Sequence, residues 1–384
     1  MLNEFLRNLA EKLKGNSEYP VEKQKKYISK FREPRSLVER SFFQYKAQMK
    51  LKGFWITFFI NLASVPLFFV YFLKPSKRVK SPLRADAVFV KDGGVNDNIL
   101  PRSLCREFET LESEAKEGNR LRSKDRGYIL KLLLRHPLSW HFALKAEIKI
   151  MRYRWFIDLY QPKALIVHNE YSFTSSLLTD FCNRNGVELI NVMHGEKLYY
   201  IGDSFFKFNR CYVWSEFYRD LLCELRAERD QFIIELPPSL IFSVADVQKY
   251  ADYTYYLQNQ TGESLKGIID NLKYLAEKGE KVVIRPHPRF TNQDELKRYV
   301  SDCCIEIEDG KTVTIERSIQ RTKNVISMFS TVLLQAHCNG VNIVIDDISD
   351  PKLIARLKEV KYAMLNCEHI LLSDLMTERS LSTV

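Results

Sequence analysis

The sequence predicts an α/β protein with two doubly wound domains and a basic, apolar segment at its N-terminus. The chain has 384 residues, a length that usually forms two domains. From residue 85 onward, apolar runs of four or five residues alternate with longer helical stretches. This alternation is typical of parallel sheets covered by helices on both faces. A long apolar run at 53–74, without charge before Lys74, precedes this pattern.

Positive charge is concentrated in the N-terminal segment. Residues 1–80 hold 17 Lys and Arg against 6 Asp and Glu, which leaves a net charge of −1 for residues 81–384 out of a total of +10. A nucleic-acid enzyme usually carries positive charge over its main cleft, so we expect no nucleic-acid partner. A basic block beside an apolar stretch suits an anionic membrane surface.

The run at 53–74 is long enough to cross a hydrocarbon core of about 30 Å. However, Asn61, Ser64 and Pro66 lie near its middle, and Lys or Arg residues flank both ends, so the positive-inside rule gives no orientation. We therefore favour a monotopic or re-entrant anchor at the cytoplasmic face of the inner membrane, with a single span or a buried core helix as alternatives. An amphipathic stripe comes before it: Leu2, Phe5, Leu6, Leu9 and Leu13.

The eight cysteines lie mostly in apolar runs and form no CxxC pair. No signal peptide precedes them. This usage predicts reduced core thiols in a cytoplasmic protein.

We expect three parts: a membrane-associating segment (1–80), an N-terminal Rossmann-like acceptor domain (81–235) and a C-terminal Rossmann-like donor domain (236–384). The two domains are expected to face each other across a cleft, with the basic segment outside both. Predicted strands in the first domain are 87–90, 164–167, 188–192 and 210–214, with helical regions at about 103–160 and 171–185. Predicted strands in the second are 253–258, 281–284, 305–308, 324–326 and 342–345, with helices at 262–279 and 332–338.

Polar residues follow the predicted strands of the first domain, where ligands bind in doubly wound sheets. The first strand leads into Asp92 and Gly93, in a loop that lets the backbone approach a ligand or simply turns. The second leads into His168 and Glu170, as ligand-facing groups or as ordinary loop hydrogen-bonding groups.

The third strand leads into His194, Gly195 and Glu196. Histidine has an ordinary pKa of about 6.5, so His194 is suited to remove a proton from a sugar hydroxyl at cellular pH. A structural histidine is the alternative.

Two motifs in the second domain predict a phosphate site. Arg285, His287 and Arg289 alternate with two prolines after a strand, which gives a rigid cationic loop. Ser327, Ser330 and Thr331 follow a later strand and open a helix, where hydroxyls and free N–H groups can hold an anion. An ordinary Ser or Thr cap is the alternative for the second motif.

Several common motifs are absent from the sequence. It contains no Walker loop, GxGxxG, HExxH or GxSxG. Asp346 and Asp347 follow a strand without the partners of a metal site, so we predict no metal.

The HG, RPHPR and S-x-x-S-T motifs, in this order over roughly 85–360, resemble those of GT-B glycosyltransferases of bacterial surface polysaccharides. The similar groups are capsule Kdo transferases, CDP-glycerol polymerases of teichoic acids, and bacterial sialyl- and polysialyltransferases. The resemblance implies that His287, Ser327, Ser330 and Thr331 hold the CMP or CDP part of a donor and that His194 is the base. The triplet Glu308-Asp309-Gly310 lies after the HP motif rather than before it, which departs from the sialyltransferase pattern.

The resemblance implies a metal-independent, inverting glycosyltransferase with no cofactor beyond its nucleotide-sugar co-substrate. It would move a sugar or polyol phosphate from a CMP- or CDP-linked donor to a lipid-linked or oligosaccharide acceptor in capsule, O-antigen or lipooligosaccharide synthesis. The expected partners are that donor, that acceptor, the membrane surface through 53–74 and other polysaccharide-assembly proteins. A nucleotide-sugar epimerase and a non-catalytic scaffold remain alternatives.

Overall fold

The computed structural model describes residues 19–76, 79, 81–91, 96–113, 115–242, 247–301 and 303–381. The chain forms two compact units. The first comprises Met1–His194 and Tyr199–Pro237, and the second comprises Gly195–Leu198 and Pro238–Val384. The predicted N-terminal stripe and the loop with Asp92 and Gly93 lie outside the described residues.

Three helices precede the first strand: α1 (Val21–Ile28), α2 (Leu37–Lys52) and α3 (Phe54–Leu73). Ser36 caps α2 by accepting a hydrogen bond from the Glu39 N–H. Gly53 separates α2 from α3 and has a φ of +83°, a value that other residues rarely adopt.

The first unit contains a six-stranded sheet whose strands are all parallel, in the order β2-β1-β3-β4-β5-β6. Its central strands are apolar and buried on both faces, as helices on both sides require. The strands are β1 (Ala87–Phe89), β2 (Leu111–Glu112), β3 (Ala164–Val167), β4 (Glu188–Val192), β5 (Arg210–Val213) and β6 (Phe232–Ile234). The helices are α4 (Arg102–Glu107), α5 (Ser123–Arg135), α6 (Trp140–Tyr160), α7 (Ser175–Asn183) and α8 (Glu216–Glu224).

The second unit contains another six-stranded parallel sheet, in the order β12-β11-β10-β7-β8-β9. Its strands are β7 (Ala251–Tyr256), β8 (Val282–Arg285), β9 (Ile305–Ile307), β10 (Thr322–Ser327), β11 (Asn342–Ile345) and β12 (Ile370–Leu371). Its helices are α9 (Gly262–Glu277), α10 (Gln293–Val300), α11 (Ile315–Gln320), α12 (Thr331–Cys338), α13 (Pro351–Glu359) and α14 (Leu372–Leu381). Leu265, Ile268, Ile269, Leu272 and Leu275 form the buried stripe of α9 at helical spacing.

The predicted fold class is confirmed: two Rossmann-like α/β units follow one another in the chain. The sequence places their boundary after residue 235, and the structure divides at Pro237. The short edge strands β2, β6 and β12 were not predicted. The predicted helical region at 103–160 contains three separate helices and β2.

The N-terminal segment differs from the prediction that it lies outside both domains. Helix α2 packs against α7 of the first unit, and Ser41, Gln44 and Ala47 are buried there. The buried Arg40 guanidinium donates to the carbonyl of Arg226 at 3.0 Å and pairs with Glu228. Helix α2 is therefore an integral layer of the first unit, because it supplies both core surface and hydrogen bonds.

Helix α3 is apolar enough to associate with a membrane, and it packs along α6. The face of α3 toward the protein carries Asn61, Ser64 and Phe68: the Asn61 Oδ1 accepts from the His141 N–H at 3.0 Å, and Ser64 Oγ lies 3.4 Å from His141 Nδ1. The opposite face is exposed and apolar, at Phe58, Phe59, Leu62, Phe69 and Val70. The polar residues in the middle of the run therefore face α6.

The cysteines differ in burial from the prediction of core thiols. Cys182 and Cys211 are buried, Cys105 and Cys304 are exposed, and the other four are partly exposed. All eight are free thiols.

Candidate functional site

Two histidines from neighbouring strands meet in the first unit. His168 follows β3, and His194 follows β4 two residues beyond its end. Because β3 and β4 are adjacent and parallel, their carboxyl ends lie at the same edge of the sheet. The two imidazole rings pack edge to face with centroids 4.5 Å apart. The His168 ring is buried and also contacts the Phe89 ring, the last residue of β1.

A buried carboxyl group and a buried amide support this pair. Asn191 lies inside β4, where its Oδ1 accepts from the Asn169 N–H at 2.7 Å. Its Nδ2 donates to Glu170 Oε2 at 3.1 Å. Both Asn191 and Glu170 are almost fully buried. Asn191 therefore fixes the loop after β3. This role was not predicted from sequence, where Asn191 is only one residue of a predicted strand. The available signal was a carboxamide side chain inside an otherwise apolar run.

Helix α2 holds the same loop from the other side. Gln44 Nε2 donates to the carbonyls of Glu170 and Gly202, each at 3.0 Å. Gln48 Nε2 donates to the carbonyls of Tyr171 and Gly202, at 2.7 and 2.8 Å. The helix that leads into the apolar α3 is thus hydrogen-bonded to the loop that carries His168 and Glu170.

Gly195 has a φ of +71°, the left-handed conformation that a tight turn after His194 requires. Glu196 follows and belongs to the second unit with the rest of Gly195–Leu198. Burial raises the pKa of Tyr362, and the Glu196 carboxylate raises it further.

The loop after β8 is organised around His287. The Arg289 N–H donates to His287 Nδ1 at 3.1 Å, and the His287 N–H donates to Thr291 Oγ1 at 2.8 Å. Since Nδ1 accepts a hydrogen bond, the neutral ring carries its proton on Nε2, which is then a donor. Phe290 stacks on the imidazole at 4.6 Å. The Arg289 side chain is exposed.

The side chain of Arg285 has other partners than His287 and its neighbours. Its guanidinium pairs with the buried Glu308 carboxylate and donates to the Val313 carbonyl at 2.9 Å. Arg321 contacts the same carboxylate at 2.6 Å. A phosphate role was predicted for Arg285 from its place in the motif, but these contacts make it a support of the loop, because they occupy the guanidinium.

The Ser and Thr residues have different positions at the start of α12. Ser327 is buried at the end of β10, and its hydroxyl donates to the Tyr256 carbonyl at 3.0 Å. Ser330 caps α12 by accepting from the Val332 N–H at 3.2 Å. Thr331 is exposed at the first position of the helix. The cap and the open helix start are compatible with an anion at this end.

The loop after β7 was missed by the sequence analysis. β7 lies between β8 and β10, so its end is at the point where the strand order of this sheet reverses. The Gln258 carbonyl accepts from Thr291 Oγ1 at 3.2 Å, and Gln260 Nε2 lies 3.9 Å from Met328 Sδ. This loop therefore contacts a neighbour of each predicted phosphate motif, Thr291 and Met328. Its amide side chains directly after an apolar strand were the available signal.

No group of three or more His, Cys, Asp or Glu side chains in the described part of the chain could hold a metal ion. The first unit offers a buried imidazole, His168, packed against a partly exposed one, His194, with the Glu170 carboxyl group nearby. The second unit offers hydrogen-bond donors for an anion.

No protein-family model and no curated protein matches the chain. Among solved structures, it is similar to the UDP-GlcNAc 2-epimerase of Neisseria meningitidis bound to UDP-GlcNAc (13% identity, 77% of this chain and 99% of that chain, TM-score 0.41). It is similar to the MnaA–UDP structure of S. aureus (12% identity, 68% and 78%, TM-score 0.42) and to the glycotransferase of kitacinnamycin (10% identity, 73% and 84%, TM-score 0.42). Similarity at this level assigns no family and no substrate to the chain, so its function has to be argued from its own residues.

Proposed function

We propose that the protein is a glycosyltransferase that moves a sugar or polyol phosphate from a CMP- or CDP-linked donor to a lipid-linked or oligosaccharide acceptor. The observation that carries this proposal is the pairing of His168 and His194 at the carboxyl ends of adjacent parallel strands, where such sheets bind ligands. A histidine that is partly exposed at such an edge, as His194 is, can reach a substrate and is suited to proton transfer.

In this proposal, His194 removes the proton of the acceptor hydroxyl as that oxygen attacks the anomeric carbon of the donor sugar. The bond from that carbon to the leaving phosphate breaks, and the phosphate takes the electron pair. For transfer of a polyol phosphate, the same oxygen attacks the outer phosphorus of the CDP-linked donor, the P–O bond to CMP breaks, and CMP leaves with the electron pair. The contact with the His168 ring fixes the orientation of the base, and Asn191 and Gln44 hold the loop that carries His168.

The second unit holds the donor in this proposal. His287 Nε2–H donates to a phosphate oxygen, Arg289 adds positive charge, and the start of α12 supplies Thr331 and backbone N–H groups. These groups would stabilise the negative charge that develops on the leaving phosphate.

The membrane supplies the acceptor in this proposal. Helix α3 packs one face on α6 and exposes a continuous apolar face, which supports an anchor that lies in the membrane surface. Since α6 carries Lys145 and Lys149, a spanning orientation of the α3–α6 pair would bring charged groups into hydrocarbon. We place the protein at the cytoplasmic face of the inner membrane.

Incubation of the full-length protein with CMP-, CDP- and UDP-linked sugars, with and without a membrane lipid extract, tests this proposal. We expect transfer of label to lipid only from a cytidine-linked donor, and no transfer with His194→Ala. Conversion of a UDP-sugar to its epimer without lipid would indicate the epimerase instead. If no donor is consumed in either reaction, the enzyme proposal is wrong.

A further inference from the structure

A pocket of about 450 Å³ lies in the first unit where α2 ends and α3 begins. Tyr27, Phe42 and Tyr45 contribute aromatic walls, Thr57 and Asn61 contribute polar groups, and Lys46 and Lys50 stand on its α2 side. Its volume falls in the range of about 300–1,000 Å³ that is usual for small-ligand sites. Nothing in the proposed transfer reaction uses it.

The charge of this pocket is positive. Lys46 and Lys50 are one helical turn apart, and no Asp or Glu is among the described residues that line the pocket. The Lys46 ammonium lies over the Phe42 ring at 5.4 Å, and the Lys50 ammonium lies over the Tyr27 ring at 5.8 Å. An ammonium group held by an aromatic face keeps its N–H donors for a second partner. Two such groups beside one pocket suit a phosphate.

The rim of the pocket is apolar and exposed. Leu138 is 86% exposed and Phe54 is 73% exposed, and both line the pocket. Phe54 begins the outward apolar face of α3, which continues through Phe58 and Leu62. A ligand in this pocket would have cations on one side and a hydrocarbon-binding surface on the other, which is the polarity of a lipid with an anionic headgroup.

We propose that this pocket binds the phosphate-bearing headgroup of an anionic membrane lipid. Lys46 and Lys50 hold the phosphate, the aromatic walls enclose the glycerol or equivalent linker, and the hydrocarbon chain leaves past Phe54 and Leu138 into the membrane. This inference rests on the membrane association proposed above, and it adds a specific lipid site to an otherwise general apolar contact.

Vesicle flotation of the full-length protein tests this site. The vesicles contain phosphatidylcholine alone or phosphatidylcholine with phosphatidic acid. One variant combines Lys46→Gln and Lys50→Gln and so removes both cations of the pocket. A second, Ser139→Trp, fills the pocket. The control combines Lys352→Gln and Lys358→Gln on α13 of the second unit, which removes the same charge away from the pocket. Thermal unfolding verifies that each variant is folded, and the Lys variants, at exposed positions, provide a test if Ser139→Trp does not fold.

Adding phosphatidic acid to phosphatidylcholine vesicles should raise the partition of the wild-type protein and of the control variant into the vesicle fraction. The Lys46 and Lys50 variant should lose about 30-fold of that gain while binding phosphatidylcholine as the wild type does. Ser139→Trp should lose the gain without any change in charge. Equal losses in the two Lys variants, an undiminished gain in a folded Ser139→Trp, or displacement by excess inorganic phosphate would each overturn the lipid site. Failure of the wild type to bind either vesicle would overturn the membrane association itself.

Discussion

The imidazole rings of His168 and His194 meet edge to face, with their centroids 4.5 Å apart, at the ends of neighbouring parallel strands. Each ring is an imidazole, the side chain best suited to general base chemistry at cellular pH, and the contact restricts how either ring can turn. The relationship depends on the parallel pairing of β3 and β4 and on Asn191, which fixes the loop after β3.

The first prediction concerns the base. His194→Ala should lower kcat by about 10²- to 10⁴-fold, because a positioned base contributes that much, while nucleotide affinity stays unchanged. His168→Ala should retain measurable turnover, because His168 orients the base in this proposal and takes no proton from the acceptor. His337→Ala, at an exposed position of α12, is the matched control. Turnover of His194→Ala close to that of the control would remove His194 from the mechanism.

The second prediction separates Arg285 from Arg289. Arg285→Ala leaves the buried Glu308 with Arg321 alone, so the free energy of unfolding should fall by about 3 kcal/mol. Arg289→Ala removes an exposed side chain, so stability should stay constant while nucleotide affinity falls roughly tenfold. Denaturant unfolding and calorimetry of both variants measure the two effects. The opposite pattern would restore the phosphate role of Arg285.

The third prediction concerns the exposed face of α3. Replacing Phe58, Phe59, Leu62 and Val70 with Ser should weaken membrane partition by about a thousandfold and leave the fold intact, because these side chains contact solvent in the structure. The wild-type protein should stay on membranes in high salt and leave them in detergent, since salt screens charge and not apolar contact. Fractionation of cell membranes measures both. Release of the wild type by salt, or membrane retention of the Ser variant, contradicts this view of α3.

The fourth prediction concerns truncation. Deletion of residues 1–80 should unfold the first unit, because α2 supplies buried residues and because Gln44 donates hydrogen bonds to the Glu170 and Gly202 carbonyls. Arg40→Ala alone should lower the free energy of unfolding by about 2 kcal/mol. A folded 81–384 fragment, judged by circular dichroism and thermal unfolding, would show that α2 is dispensable.

The fifth prediction concerns pH. Burial raises the pKa of Glu147 in α6 to about 8, and neither of its carboxyl oxygens has a hydrogen-bond partner in the described part of the chain. The folded state therefore keeps a proton that the unfolded chain releases near pH 4.5, so this contribution to stability is lost as pH rises toward 8. Between pH 6.5 and 8, the free energy of unfolding of the wild-type protein should fall by up to about 1.4 kcal/mol per pH unit because of Glu147. Glu147→Gln should abolish this part of the pH dependence. Identical slopes for the two proteins would contradict the raised pKa.

The main strands could be predicted from sequence because their side chains are buried on both faces. Ala164–Val167 and Glu188–Val192 were predicted with the bounds that the structure shows. The short strands β2 and β12 have two residues each, too few for a pattern. The packing of α2 in the first unit could not be predicted from sequence either. Arg40 and Gln44 are buried, but polar and charged residues of this kind usually lie on the solvent-exposed face of a helix.

The sequence predicted which residues lie near the candidate site but not how their side chains contact one another. Residues after strands β3 and β4 were named from their position, and the parallel pairing of those strands then explains why His168 and His194 meet. The orientation of Arg285 could not be predicted, because its partner Glu308 lies 23 residues further along the chain, directly after β9, and nothing in the sequence shows that the two side chains meet. The motif fixes which residues follow β8, whereas long-range contacts decide which of them face a ligand.

Calorimetric titration of the full-length protein with CMP, CDP, UDP and GDP is the sharpest test of a cytidine-linked donor. We expect saturable binding of a cytidine nucleotide, weakened by His287→Ala and unchanged by His337→Ala, because His287 Nε2 donates to the phosphate in the proposed reaction and His337 lies exposed on the same unit. A folded protein that binds none of the four nucleotides, or that binds one equally well after His287→Ala, would contradict it.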